Sequence, residues 1–325
     1  MKAEILRVLK ERQDYVSGQE LCELLGVSRT AVWKAIGQLK EEGCQIEAVR
    51  NKGYRLADCG DVISKAELLS CMRGSFGREI VYFDSTDSTN VRAKKLAEEG
   101  AEHGTLVVAG HQEAGRGRRG RSWVSPEGTG IFMSLILRPD ILPTSASMIT
   151  LVAALAVHDG ILEETGLETA IKWPNDIVAD GKKLCGILTE MSAELEGIHY
   201  VVVGIGINAN MESFPEDVRK TASSILIQTG KRVRRSHLAA AVIAAFERYY
   251  EKFIRSGSLA PLVDVYNEHM ARRGGEVKVL DPAGSYTGTA LGIDETGELL
   301  VEMPDGKVRR VVSGEVSVRG IYGYI

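Results

Sequence analysis

The sequence predicts a multidomain α+β protein in three parts, and three observations predict it. Residues 1–56 read as short helices broken at Gly26-Val27 and followed by a short hairpin. Strand and helix patterns alternate through the middle of the chain. Beyond Glu276 only short strands remain, separated by Pro-Ala-Gly, Glu-Thr-Gly-Glu and Pro-Asp-Gly-Lys turns. At 325 residues the chain exceeds what a single core usually organises. The expected layout is a winged helix-turn-helix at 1–60, a mixed-sheet α/β domain at 61–273 and a small β-barrel at 274–325.

In order, Ala3 to Arg12 forms a first helix with Ile5, Leu6, Val8 and Leu9 on its apolar side. Ser17 and Glu20 make a capping box for a second helix, and Ser28 caps a third running to about Glu42. The third buries Val32, Ile36 and Leu39 and turns Arg29, Thr30, Trp33 and Lys34 elsewhere. Ile46–Val49 and Tyr54–Leu56 form a hairpin with a basic tip, Arg50-Asn51-Lys52-Gly53. Two readings fit this first part: a winged helix-turn-helix, or a small helical interaction module with the same turn. In the first, Ser28, Arg29, Thr30 and Lys34 face the DNA major groove and its phosphates, and Arg50, Lys52 and Arg55 serve the wing. Asp58 to Asp61 is a short linker.

A helix over Ser64–Met72 and a strand over Glu79–Asp84 lead into Asp84-Ser-Thr-Asp-Ser-Thr-Asn90. This polar run either caps the helix Val91–Glu99 or offers Ser88, Thr89 and Asn90 to a polar ligand. Strands follow at Thr105–Gly110 and Ile131–Leu137, the latter apolar apart from Ser134 and so covered on both faces. Ser145–Thr165 is a long helix. The strand Thr169–Lys172 ends in Lys172-Trp-Pro-Asn-Asp176, and Asp180-Gly181-Lys182 turns into the strand Lys183–Met191. His199–Asn208 is a strand whose Gly204 and Gly206 imply close approach of a ligand or neighbouring backbone. Residues 211–224 form a polar loop, with helices at Ser236–Ile254 and Leu259–Met270.

Composition is that of a soluble globular chain, 44% hydrophobic and 26% charged. No apolar run is long enough for a membrane span, and the N-terminus has no signal-peptide pattern, so a cytoplasmic location without membrane partners is expected. Five scattered cysteines without a Cys-x-x-Cys pair argue against a disulfide framework and a zinc site. The net charge of −4 is uneven: residues 1–56 carry ten Lys/Arg against eight Asp/Glu.

The densest chemistry lies at Gly115–Trp123, Gly-Arg-Gly-Arg-Arg-Gly-Arg-Ser-Trp. Four guanidinium forks and flexible backbone N–H groups suit phosphate or carboxylate, although a basic RNA-touching tract has the same composition. Two flanking buried strands pin it inside a folded domain. No phosphate loop, nucleophile elbow or zinc-protease motif occurs, and Gly204-Ile-Gly206 lacks a dinucleotide fingerprint. The cations Arg116, Arg118, Arg119, Arg121, Lys172 and Lys183, with Asp176, point to nucleotidyl transfer by positioning and electrostatics. Asp176 is either a magnesium ligand or a turn cap.

Gly115–Trp123, Lys172-Trp-Pro-Asn-Asp176, Lys183-Leu-Cys-Gly-Ile-Leu188 and Gly204-Ile-Gly-Ile-Asn208, in this order, resemble the family of bifunctional biotin–protein ligases and biotin operon repressors. The resemblance covers nearly the whole chain. It implies a class II synthetase-like central domain, an SH3-like terminal barrel, and ATP, Mg²⁺ and biotin as substrates and metal. Biotin's carboxylate would attack the α-phosphate of ATP to give biotinyl-5′-AMP, which then acylates a lysine of a biotin carboxyl carrier domain. Ser88, Thr89, Asn90 and Gln112 would bind the ureido ring. Arg116, Gly117 and Arg118 would close over biotin, with Arg118 holding the adenylate and Lys183 binding at the carboxylate–phosphate junction, and Arg118 and Lys183 would serve catalysis. Arg121, Trp123, Lys172, Asn175 and Asn208 would contact the nucleotide, and Asp176 the magnesium. Biotinyl-5′-AMP would be the corepressor, promoting a homodimer on operator DNA. Met211, Phe214, Pro215 and Val218 are the candidates to cover the adenine. A ligand-sensing transcription factor without catalysis, and a ligase for lipoate or octanoate, are the competing readings.

Overall fold

Serine hydroxyls start the second and third helices of the N-terminal part. After α1 (Lys2–Arg12), Ser17 Oγ accepts the Glu20 N–H at 3.0 Å to open α2 (Gly18–Leu25). Ser28 Oγ accepts the Ala31 N–H at 3.3 Å to open α3 (Arg29–Glu41). Each such cap contributes about 1 kcal/mol. Gly26, at φ 64°, takes the left-handed conformation that ends α2. The hairpin β1 (Gln45–Val49) and β2 (Gly53–Asp58) is antiparallel, and α4 (Lys65–Cys71) follows. Ile5, Leu6, Leu9, Leu21, Val32, Ile36, Leu39 and Ile46 form one core. At Gly53 a Cβ would sit 2.1 Å from the Val16 carbonyl oxygen, so only glycine lets the wing pack there.

The computed structural model describes residues 1–194, 197–281, 284–312, 317–320 and 325. The chain divides into two units, 1–73 with 234–240 and 74–233 with 241–325. Asp58 to Asp61 is not a free linker, as the sequence suggested. Arg234 Nη2 lies 2.7 Å from Asp58 Oδ1 and Arg235 Nε 2.9 Å from Asp61 Oδ2, so returning chain anchors this segment inside the first unit.

The second unit contains β3 (Ile80–Thr86), α5 (Thr89–Glu98), β4 (Leu106–Gln112), β5 (Ile131–Leu137) and α6 (Met148–Thr165). It continues with β6 (Ala170–Lys172), β7 (Asp176–Ala179), β8 (Lys182–Glu194), β9 (Gly197–Ile207) and α7 (Ile225–Thr229). Its sheet runs β3-β4-β5-β9-β8-β7-β6, with β3 and β4 parallel and every other pair antiparallel. All seven residues of β5 are buried, as its largely apolar composition predicts. Ala93 and Ala97 of α5 pack on Val107, Ile136 and Val202, while α6 runs along β6–β9.

One sequence expectation fails at α6. The stretch Pro143–Thr165 is long and apolar enough by composition to cross a membrane, with mean hydropathy 1.6, yet 72% of that window is buried within the protein. It is apolar on all sides because packed chain surrounds it.

The last elements are α8 (Arg235–Ser256), α9 (Val263–His269), β10 (Glu276–Leu280), β11 (Tyr286–Ile293), β12 (Leu299–Glu302), β13 (Val308–Val311) and β14 (Ser317–Gly320). The five strands pair antiparallel in the order β13-β12-β11-β10-β14. The sequence pattern shows four of them, and β14 is the one it misses. Asn267 of α9 ties the sheet down: its amide accepts the Ile293 N–H at 2.7 Å and donates to the Ile293 carbonyl at 3.2 Å.

His158 of α6 is fully buried, its Nδ1 2.8 Å from Thr169 Oγ1 and its ring centroid 3.9 Å from that of His269. Burial, reinforced by His269, holds its pKa below the usual histidine range. The unfolded chain therefore takes up this proton first as pH falls, so stability is complete above about 6.5 and declines below it. The melting temperature should drop between about pH 7.5 and 5.5, and His158→Asn should flatten that dependence. An equal slope in the variant would remove His158 as the cause.

Candidate functional site

Two neighbouring cavities in the second unit share a wall of Gly117, Arg118, Trp123, Asn175 and Lys183. The smaller is also lined by Ser88, Thr89, Asn90, Gln112 and Arg116. The larger is also lined by Arg121, Lys172, Asp176 and Asn208, with Phe214 and Val218 from the loop 211–224. Outside the loop 211–224, every ligand-facing residue expected from the sequence lines one cavity or the other.

The floor is made by strand glycines. Gly186 of β8 pairs with Gly206 of β9, and a Cβ on either would lie 2.9 or 2.8 Å from the Trp123 indole. A Cβ on Gly204 would lie 2.0 Å from Asn90 Oδ1. The close approach is made by side chains, Trp123 and Asn90, and not by the ligand or neighbouring backbone expected from the sequence. Trp123 Nε1 is buried without a hydrogen-bond partner, a donor that a ligand oxygen would satisfy.

The arginine stretch is a folded hairpin. Arg116 pairs with Ser122, Gly117 N–H donates to the Arg121 carbonyl at 2.7 Å, and Trp123 N–H donates to the Gly115 carbonyl at 2.8 Å. The tip places Arg119 at φ 59° and Gly120 at φ 71°. Arg118 Nη1 donates to Asn175 Oδ1 at 2.9 Å, and Asn175 in turn donates to the Ile187 carbonyl at 3.1 Å. Burial pushes the Arg118 guanidinium below its usual pKa, against the pull of Asp176, so an anionic ligand there would be favoured.

In the smaller cavity, polar groups hold one another in place. Gln112 Oε1 accepts the Thr89 N–H at 2.8 Å and the Thr89 hydroxyl at 3.1 Å, and Gln112 Nε2 donates to Ser125 Oγ at 3.0 Å. Ser134, a hydroxyl inside an apolar strand, bonds Thr89 Oγ1 at 2.8 Å and Asn90 Oδ1 at 2.6 Å. Asn90 Nδ2 donates to Glu190 Oε2 at 2.8 Å, and Lys94 neutralises that carboxylate at 2.6 Å. Ser125, Ser134 and Glu190 escaped the sequence reading. For Ser134 and Glu190 a polar residue within a strand was the available signal; Ser125, outside any strand, offered none. Ser88 begins α5 but makes no side-chain cap, so capping does not account for it.

In the larger cavity, Lys183 Nζ lies 2.6 Å from Asp176 Oδ1 and 5.2 Å from the Trp123 ring centre. The loop 211–224 ends on this lysine: Lys183 N–H donates to the Thr221 carbonyl at 2.8 Å, and Ser223 N–H to the Lys183 carbonyl at 2.9 Å. Asn208 spends its amide on the Ser223 carbonyl at 2.9 Å, which fixes the loop against β9. Of the four apolar loop candidates, Phe214 and Val218 reach the cavity and Met211 is core, 2% exposed. Cys185 is fully buried, and burial pushes its thiol pKa up, so it offers no nucleophile.

A second candidate surface lies in the first unit, a groove lined by Arg29, Arg50, Asn51 and Lys52 together with Gln19 and Tyr54. Ser28 caps α3, and Arg29 forks onto Gln19 Oε1 at 2.9 and 3.2 Å. Thr30, Lys34, Arg50 and Lys52 are exposed. Arg55, also expected on the wing, lies on β2 opposite Glu47, pairs with it at 3.0 Å and stacks on Tyr15 at 5.1 Å, its side chain still 40% exposed.

Comparison with known proteins finds three matching families: the Biotin/lipoate A/B protein ligase family over residues 82–208, an HTH domain over 2–55 and the Biotin protein ligase C terminal domain over 274–319. The bifunctional ligase/repressor BirA of Bacillus subtilis is 40% identical over 308 residues, 94% of each chain. Its Escherichia coli counterpart is 31% identical over 307 residues, again 94% of each. The biotin protein ligase of Aquifex aeolicus, solved in complex with biotin and ATP, superposes with a TM-score of 0.66 at 32% identity. It covers 75% of this chain and 99% of its own.

Gly206→Ala tests the glycine floor. The added methyl should expel the Trp123 ring, changing the near-ultraviolet circular dichroism and costing roughly 1–3 kcal/mol. An unchanged spectrum and melting temperature would show that Trp123 does not lie on this strand.

Proposed function

The chain belongs to the family of bifunctional biotin protein ligases and biotin operon repressors, and from that premise we propose how its own residues perform both tasks. It is a biotin–[acetyl-CoA-carboxylase] ligase and a helix-turn-helix repressor. The observation that carries the residue assignment is the shared wall between a small polar cavity and a larger cationic one. Biotin takes the smaller, its ureido ring against Thr89, Asn90 and Gln112 with Ser88 and Arg116 at the edge. ATP takes the larger, its phosphates facing Arg121, Lys172 and Lys183, and its base near Trp123, Asn208, Phe214 and Val218.

The biotin carboxylate and the α-phosphate then meet at Arg118, Asn175 and Lys183. Carboxylate oxygen attacks phosphorus, pyrophosphate leaves, and biotinyl-5′-AMP stays under the hairpin. Lys183 and Arg118 stabilise the negative charge that develops between the two groups. Asp176 holds the Lys183 ammonium at 2.6 Å, which fixes its position before substrates arrive. The carrier lysine's uncharged ε-amine next attacks the acyl carbon, and AMP leaves.

Magnesium fits this site through one carboxylate. Asp176 is the one acidic side chain among the residues lining the larger cavity and would hold the ion beside the phosphates. When bound it screens phosphate charge.

For repression, Ser28, Arg29, Thr30 and Lys34 open the helix that enters the major groove, and Arg50 and Lys52 contact phosphate from the wing. One such module per chain calls for a homodimer on a two-fold operator, formed when biotinyl-5′-AMP is bound, in the cytoplasm.

Mixing the full chain with biotin, ATP, magnesium and a carboxyl carrier domain should add one biotinyl group to the carrier's mass, and lipoate should add nothing. Lys183→Gln should slow adenylate formation by about 100-fold or more. Sedimentation should show the biotin–ATP complex dimerising at micromolar protein. An unmodified carrier would refute the ligase mechanism, an undiminished Lys183→Gln rate the role of Lys183, and an unchanged monomer the dimer.

A further inference from the structure

The first unit gathers donors that neither ligation nor DNA binding uses. Cys44, Cys59 and Glu67 are 4%, 3% and 1% exposed, and their donor atoms lie within 4.8 Å of one another. Topology makes this cluster. Cys44 follows α3 and Cys59 follows β2, and the Gln45–Asp58 pairing brings them side by side at the base of the wing. Glu67 arrives from the first turn of α4. Sequence spacing conceals the set, because no two of its members sit in a Cys-x-x-Cys pair.

We propose that Cys44, Cys59 and Glu67 form a binding site for a divalent, sulfur-preferring cation of the zinc class. Two thiolates and a carboxylate are the soft-to-borderline donor set that selects such an ion over magnesium or calcium. Charge supports the assignment. Glu67 faces Lys10, whose Nζ lies 2.7 Å from Glu67 Oε1, so two thiols, one carboxylate and one ammonium sum to zero. Binding exchanges two thiol protons for one dication, M²⁺ + 2 RSH → M(SR)₂ + 2 H⁺, and the buried cluster stays neutral. No electron is transferred.

A second donor set adjoins the first, since Glu67, Cys71 and His237 also lie within 4.8 Å of one another. Lys10 occupies it, donating to Cys71 Sγ at 3.4 Å as well as to Glu67, so its positive charge directs the metal to the Cys44–Cys59 side. The ion there would bind the end of α3, the base of the wing and α4 to one centre, fixing the wing beside the recognition helix.

The test uses the reduced full-length chain and cobalt(II) as probe. One cobalt per chain should bind with thiolate-to-cobalt charge-transfer absorption and release two protons, measured from the buffer dependence of the binding heat. That absorption should vanish in Cys44→Ser and Cys59→Ser and persist in Cys22→Ser and Cys185→Ser. Absence of the absorption in the wild type would overturn the site. So would its survival in a folded Cys44→Ser or Cys59→Ser chain. Should either serine variant fail to fold, the wild-type proton count still decides, because fewer than two protons excludes two thiolate ligands.

Discussion

Three strand positions without side chains, Gly186, Gly204 and Gly206, set the form of the ligase site. They lie on adjacent central strands, where a residue with a Cβ is the rule and a glycine weakens the strand. Their bareness lets Trp123 and Asn90 lie directly on the sheet, within 2.9 Å of where a methyl would stand. Everything above depends on this. Trp123 anchors the end of the arginine hairpin, and Asn90 anchors the start of α5. The two elements that enclose the smaller cavity are thus both fixed to β9.

Charge completes what packing begins. Arg118, Arg119, Arg121, Lys172 and Lys183 line the larger cavity with Asp176 as the one acid among them. Lys183 and Asp176 pair closely, which restrains the ammonium without cancelling the surplus. Arg118 is held by Asn175, and burial lowers its guanidinium pKa by stripping water from a charge that stays positive. Such a cavity is stabilised by phosphate, whose oxygens supply the missing negative charge. Backbone hydrogen bonds join the loop 211–224 to the same lysine.

Much of this was legible in the sequence because local signals and tertiary packing agree. Ser17 and Ser28 cap where the capping pattern places them, and the apolar run at 131–137 is covered on both faces as its composition requires. Motif order brought Arg118, Asp176 and Lys183 to one expected site, and they line one cavity. What stayed hidden depends on contacts between distant segments. No local pattern reveals that Asp58 and Asp61 are held by Arg234 and Arg235, or that Arg55 is taken by Glu47 and Tyr15. Ser134 and Glu190 orient Asn90 and Thr89 across strands, so their roles emerge only once register is known. The apolar helix 148–165 passes for a membrane span by composition because a fully enclosed helix and a lipid-facing one have the same surface.

Trp123 is the residue on which the account turns, since it forms part of the wall of both cavities and lies on the glycine floor. In a chain with Trp33 and Trp173 replaced by phenylalanine, Trp123 is the one tryptophan left and can be excited selectively over the tyrosines. Its emission should change saturably on adding biotin and change again, to a separate plateau, on adding ATP with magnesium. Emission indifferent to both ligands, in a chain that binds them, would contradict the shared-wall site.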